Sequence, residues 1–195
     1  MNYLGHAYLS FGDAEILTGN MMGDYVKGKL ALAKYPENIQ KGLLLHRKID
    51  TFADNHPANL RAKVWFRNDY GLYAGAILDV LYDHFLANDP KHFASKDALF
   101  NFSQQTYNQL ATNSQYFPER FAYMFPYMQK ENWLYGYYNL RGIQQSLGGL
   151  SRRAKHLPPV DKAYATFITQ FYQLNQCYYE YMDDVVKFVK LELSL

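Results

Sequence analysis

Of the 18 acidic residues in the chain, 12 are Asp and 6 are Glu. Asp is the poorer helix former, because its short side chain competes for nearby backbone groups, so the bias needs a reason in a sequence with helical periodicity. Asp13, Asp89, Asp97 and Asp161 fall where caps and loops are expected. Asp24, Asp50, Asp54, Asp79 and Asp83 fall within helical stretches instead. Short carboxylates held on a rigid backbone are what a metal site uses. In one such stretch Ile39, Leu43, His46, Asp50 and Asp54 share roughly an 80° arc at about 100° per residue. His46 and Asp50, at i and i+4, can therefore reach a common ion, or simply bond each other. Asp79 and Asp83 repeat the spacing on GLYAGAILDVLYDHFLAN, a helix apolar nearly all round. Two carboxylates buried there need a cation, an Arg such as Arg47, Arg61 or Arg67, or a shared proton. His84 points about 100° away from Asp83 and, taken alone, reads as a satisfied core histidine, as does His6 in NYLGHAYL. Asp24 lies in GNMMGDYVKG, whose glycines permit close backbone approach. Together these residues place His and Asp on several helical segments of the first 84 residues. A mixed imidazole and carboxylate set suits Mn²⁺, Fe²⁺ or Mg²⁺ better than structural Zn²⁺, and such an ion activates water and neutralises phosphoryl oxygens.

The elements that must position these groups are all helical. Strand signals are scarce, and 3.6-residue periodicity runs from end to end. The expected helices are 2–10, 14–32, 37–55, 58–68, 72–87, 97–112, 118–130, 132–147 and 161–192, with Pro36, Pro57, Pro90, Pro118 and the Pro158-Pro159 pair between them. Pro126 falls inside one helix and predicts a kink or break. The 195 residues suit one domain spanning 1–195, with 161–195 as a C-terminal packing helix.

Composition narrows the function. A hydrophobic share of 49% excludes a disordered chain, and 19 Tyr and 13 Phe predict an aromatic-rich core. A net charge of +2 is too weak for a dedicated nucleic-acid binder. The single Cys177 makes no intramolecular disulfide and no thiolate cluster, which favours a reduced, cytoplasmic setting. No signal peptide or run of 18 apolar residues is present, so no membrane association is expected. Dinucleotide fingerprint, P-loop and G-x-S-x-G elbow are all absent.

NYLGHAYL at 2–9, GNMMGDYVKG at 19–28, HRKIDTFADNHP at 46–57 and ILDVLYDHFL at 77–86, with LGGLSRR at 147–153, resemble in order and spacing the acyl carrier protein phosphodiesterase family. The resemblance implies an all-α helical bundle like the HD-domain phosphohydrolases. It implies hydrolysis of the 4′-phosphopantetheine arm from holo-acyl carrier protein, with Mn²⁺ or Mg²⁺. It nominates His6, Asp24, His46, Asp50, Asp79, Asp83 and His84. Asp24, His46, Asp50, Asp79 and Asp83 are the candidate metal ligands, and His6 or His84 would complete the shell or relay a proton. The chain has no consecutive His-Asp doublet, and Asp83-His84 runs in reverse, so the ligand set is not that of ordinary HD enzymes. Arg47, Lys48, Arg152 and Arg153 could hold phosphate oxygens or acidic carrier residues, or form a solvated basic face. Trp65, Tyr82 and Trp133 could line an arm groove, although core packing is the simpler reading of each. Two other functions stay open: the same site acting on another phosphoester such as a nucleotide, and a non-catalytic helical binding protein whose polar cluster is a salt-bridge network.

Overall fold

The computed structural model describes residues 1–154 and 156–195, and the side chains of Lys29 and Arg153 lie outside that description. The fold is all-α, as expected. The helices are α1 (Tyr3–Tyr8), α2 (Ala14–Met21), α3 (Lys29–Leu32), α4 (Glu37–Asn55), α5 (Pro57–Tyr70), α6 (Ala74–Ala87), α7 (Lys96–Thr112), α8 (Glu119–Lys130), α9 (Trp133–Gly136), α10 (Leu140–Arg153), α11 (Asp161–Thr169) and α12 (Phe171–Leu193), with short 3-10 turns at Gly23–Tyr25, Gly71–Tyr73 and Ser114–Tyr116. No described helix is long and apolar enough to cross a membrane.

The near-uniform apolarity of α6 has the expected result: from Ile77 to Ala87 all but Asp79 are buried. The helix runs through the core and contacts α1, α5, α10 and α12. The long α4 starts after Pro36 and ends at His56, whose ring Nδ1 accepts the Ala58 N–H and starts α5 with Pro57 at its first position.

Three expected boundaries are corrected. The helix expected over 14–32 stops at Met21, turns through Gly23–Tyr25, runs extended at Val26 and restarts at Lys29. That break presents Asp24 to the site, which a continuous helix would not do. The helix expected over 132–147 is two, separated near Tyr137, and the helix expected over 161–192 is also two, separated at Gln170. By contrast α8 runs through Pro126 without a break.

The close pairing of α2 with α4 depends on two glycines. A Cβ on Gly19 would sit 2.1 Å from the Ile39 carbonyl oxygen, and one on Gly42 would sit 2.2 Å from that of Ile16. The helices meet backbone to backbone, which brings Asn20 against His46.

Candidate active site

Four of the nominated residues converge. His46 Nε2 lies 3.2 Å from Asp50 Oδ2 and 3.4 Å from Asp24 Oδ1, while His6 Nε2 lies 3.4 Å from Asp50 Oδ1. The two imidazoles stack with centroids 4.1 Å apart. Ligand atoms of His6, His46 and Asp50 all fall within 4.8 Å of one another. His46 comes from α4, Asp50 from the next turn, His6 from α1 and Asp24 from the 3-10 turn. The ring of His46 fits against that turn because residue 23 is Gly: a Cβ there would lie 2.2 Å from His46 Cγ.

Asn20 sets the direction in which both imidazoles point, and the motif reading passed over it. Its side-chain oxygen accepts from His6 Nδ1 and its backbone carbonyl accepts from His46 Nδ1, each at 2.8 Å. Its amide nitrogen donates to the His6 carbonyl and to Ser10 Oγ, which fixes the amide orientation. Each ring therefore carries a proton on Nδ1 and turns Nε2 toward the carboxylates. His46 Nε2 is buried and has no hydrogen-bond partner, because the nearby carboxylate oxygens lie at ion-pair distance without the alignment of a hydrogen bond. A buried nitrogen aimed at carboxylates needs a proton or a metal cation between them, and this donor set fits either.

The charges are strongly coupled. Burial would lower the His46 pKa, but Asp24 and Asp50 outweigh it and lift it to about 9. Burial and the neighbouring His46 lower that of His6. Burial would raise Asp50, yet His46 and His6 hold it well below the usual carboxylate range; Asp24 is lowered mainly by His46. Asn20→Ala removes the common orienter. Metal affinity or activity is expected to fall about 10–100-fold, with a stability loss on the order of 1–3 kcal/mol from the stranded buried groups. Mn²⁺ titration and melting of the variant check both.

The remaining nominated residues lie elsewhere. Asp83 does not join the cluster: it is buried on α6, where its oxygens accept the Asn2, Leu4 and Gly5 amides at 2.8–3.1 Å. It thus caps the first turn of α1 and positions His6 without touching it. His84 is set apart by the rotation of one residue. Its Nδ1 donates to the Tyr137 carbonyl at 2.8 Å among Phe85, Phe167 and Phe171, and burial lowers its pKa. Asp79 lines the same cavity as the cluster, but its Oδ1 accepts from the Met1 amino group at 2.8 Å.

Arg47 donates to the Val26 carbonyl at 3.0 Å, Lys48 pairs with Glu192, and neither lines the cavity that holds the cluster. Positions 47 and 48 face away from the stripe that carries His46. Arg152 lines a second cavity, and the side chain of Arg153 lies outside the described residues. Tyr82 is core, Trp65 is surface, and Trp133 lines that second cavity. Arg120 on α8 borders both cavities and, among the described residues, has no ion-pair or hydrogen-bond partner. Nothing local in the sequence marks it, since it lies far from the cluster along the chain.

Burial pushes Asp83 up to about 7, against the Met1 amino group and the three amides. A carboxyl whose folded pKa exceeds its unfolded value near 4 binds its proton more tightly when folded, so its contribution to stability falls as pH rises from about 4 to 7. The size is at most about 4 kcal/mol. Unfolding free energies at pH 5 and 7.5 should show this slope in the parent and its loss in Asp83→Asn.

The family model described as acyl carrier protein phosphodiesterase matches residues 1–185. The chain belongs to the acyl carrier protein phosphodiesterase family. A family relative from Salmonella paratyphi A, named acyl carrier protein phosphodiesterase, is 34% identical over 157 residues, 80% of this chain and 81% of its own. Phosphodiesterases of the same name from Enterobacter sp. (strain 638) and Photorhabdus laumondii are each 30% identical, with 93% of both chains covered. No solved structure matches the chain. The family match covers the cluster, the 3-10 turn with Asp24, and the second cavity alike.

Proposed function

We propose that this protein is a divalent-metal-dependent phosphodiesterase that releases 4′-phosphopantetheine from holo-acyl carrier protein, leaving the apo-carrier. The observation that carries the reading is the convergence of Asp24 and Asp50 on the buried Nε2 of His46, with the His6 imidazole stacked beside it, in a chain of this family. These four residues would hold the ion, and their mixed nitrogen and oxygen donors suit Mn²⁺ or Mg²⁺. When bound, the ion supplies Lewis acidity, easing deprotonation of water and offsetting charge on the phosphoryl oxygens.

The protein's own groups do the rest. Asn20 fixes both imidazole orientations. His6, kept neutral by burial and with its Nδ1 proton held by Asn20, turns its Nε2 lone pair toward Asp50 and the ion site. Arg120 offers a guanidinium for bidentate contact with phosphate oxygens. Asp83 holds α1, and with it His6, in place. The +2 charge is compatible with an acidic carrier, and the lone Cys177 fits a cytoplasmic setting.

Substrate choice is tested by offering holo-acyl carrier protein and a nucleotide phosphodiester in parallel with Mn²⁺ or Mg²⁺. Intact mass should show loss of the arm from the carrier and no comparable nucleotide cleavage. Nucleotide cleavage with an untouched carrier would overturn the assignment in favour of another phosphoester.

A further inference from the structure

The cavity that holds the cluster, about 520 Å³, adjoins a larger one of about 740 Å³ between α8 and α10. Asn2, Tyr3, Tyr25 and Arg120 border both. Tyr3 and Tyr25 join hydroxyl to hydroxyl at 2.7 Å, forming a threshold between them. The second cavity has the volume of a small-molecule site, about 300–1,000 Å³, and is far too small for a folded carrier.

Part of its wall is made of residues that core packing does not require. Tyr123 and Tyr127, one turn apart on α8, leave 73% and 48% of their surface exposed, so core packing does not account for them. Gly148 and Gly149 lie inside α10, where glycine costs helix stability relative to Ala. A Cβ at either would meet only the Arg152 guanidinium, at an ordinary 3.6 or 3.8 Å. These glycines differ from Gly19, Gly23 and Gly42, where a Cβ would collide with the protein itself. Their effect is to leave α10 open beside the groove. Gln144, Gln145 and Ser146 add polar side chains to the same wall.

We infer that this groove receives the pantetheine arm, with Arg120 at the threshold holding the phosphate. The inference rests on the proposed reaction. If the phosphorus sits at the cluster, the arm leaves it on one side and the carrier serine on the other. The groove that adjoins the cluster has room for a thin chain and not for a protein. Aromatic rings suit the apolar parts of the arm, while amide and guanidinium groups suit its two amides. The arm-bearing carrier would then be selected by the groove, and the bond to be cut by the cluster.

The test pairs the parent with Gly148→Leu, using holo-carrier cleavage, binding of free pantetheine read from tryptophan fluorescence, and melting. The leucine should raise KM for holo-carrier at least tenfold and abolish pantetheine binding. It should leave Tm unchanged or raised by about 2–4 °C, as a better helix former. Parental KM and parental pantetheine binding in Gly148→Leu would overturn the groove assignment while leaving the reaction standing. A parent that binds pantetheine, with binding lost in Gly148→Leu, but leaves holo-carrier intact would keep the groove and overturn the reaction. A parent that does neither overturns both.

Discussion

Asp50→Asn should reduce kcat for holo-carrier cleavage roughly a thousandfold, while the protein stays folded. Asp50 is the one carboxylate that both imidazoles approach, at 3.2 and 3.4 Å, so an amide there removes negative charge from the centre of the cluster. Loss of a metal's charge stabilisation is worth several kcal/mol, and about 4 kcal/mol corresponds to three orders of magnitude. Some stability is lost as well, because a carboxylate held below its usual range stabilises the fold at neutral pH, but with the Asp50 side chain 43% exposed that loss should leave the protein folded. Melting in the presence of Mn²⁺ separates the two effects. The parent should gain Tm with added Mn²⁺, because an ion bound only by the native state stabilises that state, and Asp50→Asn should gain much less. A variant with parental kcat would remove Asp50 from the machinery.

Gly42→Ala should have the largest effect on stability. In an ordinary helix interior this change stabilises by about 1 kcal/mol. Here the added methyl would lie 2.2 Å from the Ile16 carbonyl oxygen and 2.9 Å from Gly19 Cα, both backbone atoms that no rotamer change can move. Separation of α2 from α4 should cost about 3 kcal/mol or more, a Tm drop of about 6–12 °C for a chain of this size. The same separation draws the Asn20 carbonyl away from His46, so Mn²⁺ affinity should fall with stability. An unchanged or raised Tm would show that the helix contact is not as close as described.

The parts of the site that follow helical periodicity could be read from the sequence. His46 and Asp50 lie one turn apart on α4 and emerge on one stripe, and the apolar girth of α6 marked it as the buried helix. Asp24 was legible as a residue near glycines, but not the chain break that aims it, because helix propensity over 14–32 does not register a tertiary contact between residue 23 and the His46 ring. Asp83 and His84 were legible as buried and polar. Their partners, the amides of α1 and the carbonyl of Tyr137, are about 80 and 53 residues away, and no local pattern reports such pairings. As a result the doublet reads as chemistry in the sequence and acts as two anchors in the fold, one holding the His6 helix and the other the start of the groove wall. Asn20 left a signal in retrospect, being a poor helix former inside α2 between glycines. Arg120 left none.

The most direct measurement is the intact mass of holo-acyl carrier protein after incubation with metal-stripped protein, before and after addition of Mn²⁺, beside Asp50→Asn. The account predicts an unchanged carrier without metal, conversion to the apo-carrier once Mn²⁺ is present, and no comparable conversion by the variant. Conversion by the stripped protein, or equal conversion by Asp50→Asn, would contradict the assignment of the His6, His46, Asp24 and Asp50 cluster as the metal centre of the reaction.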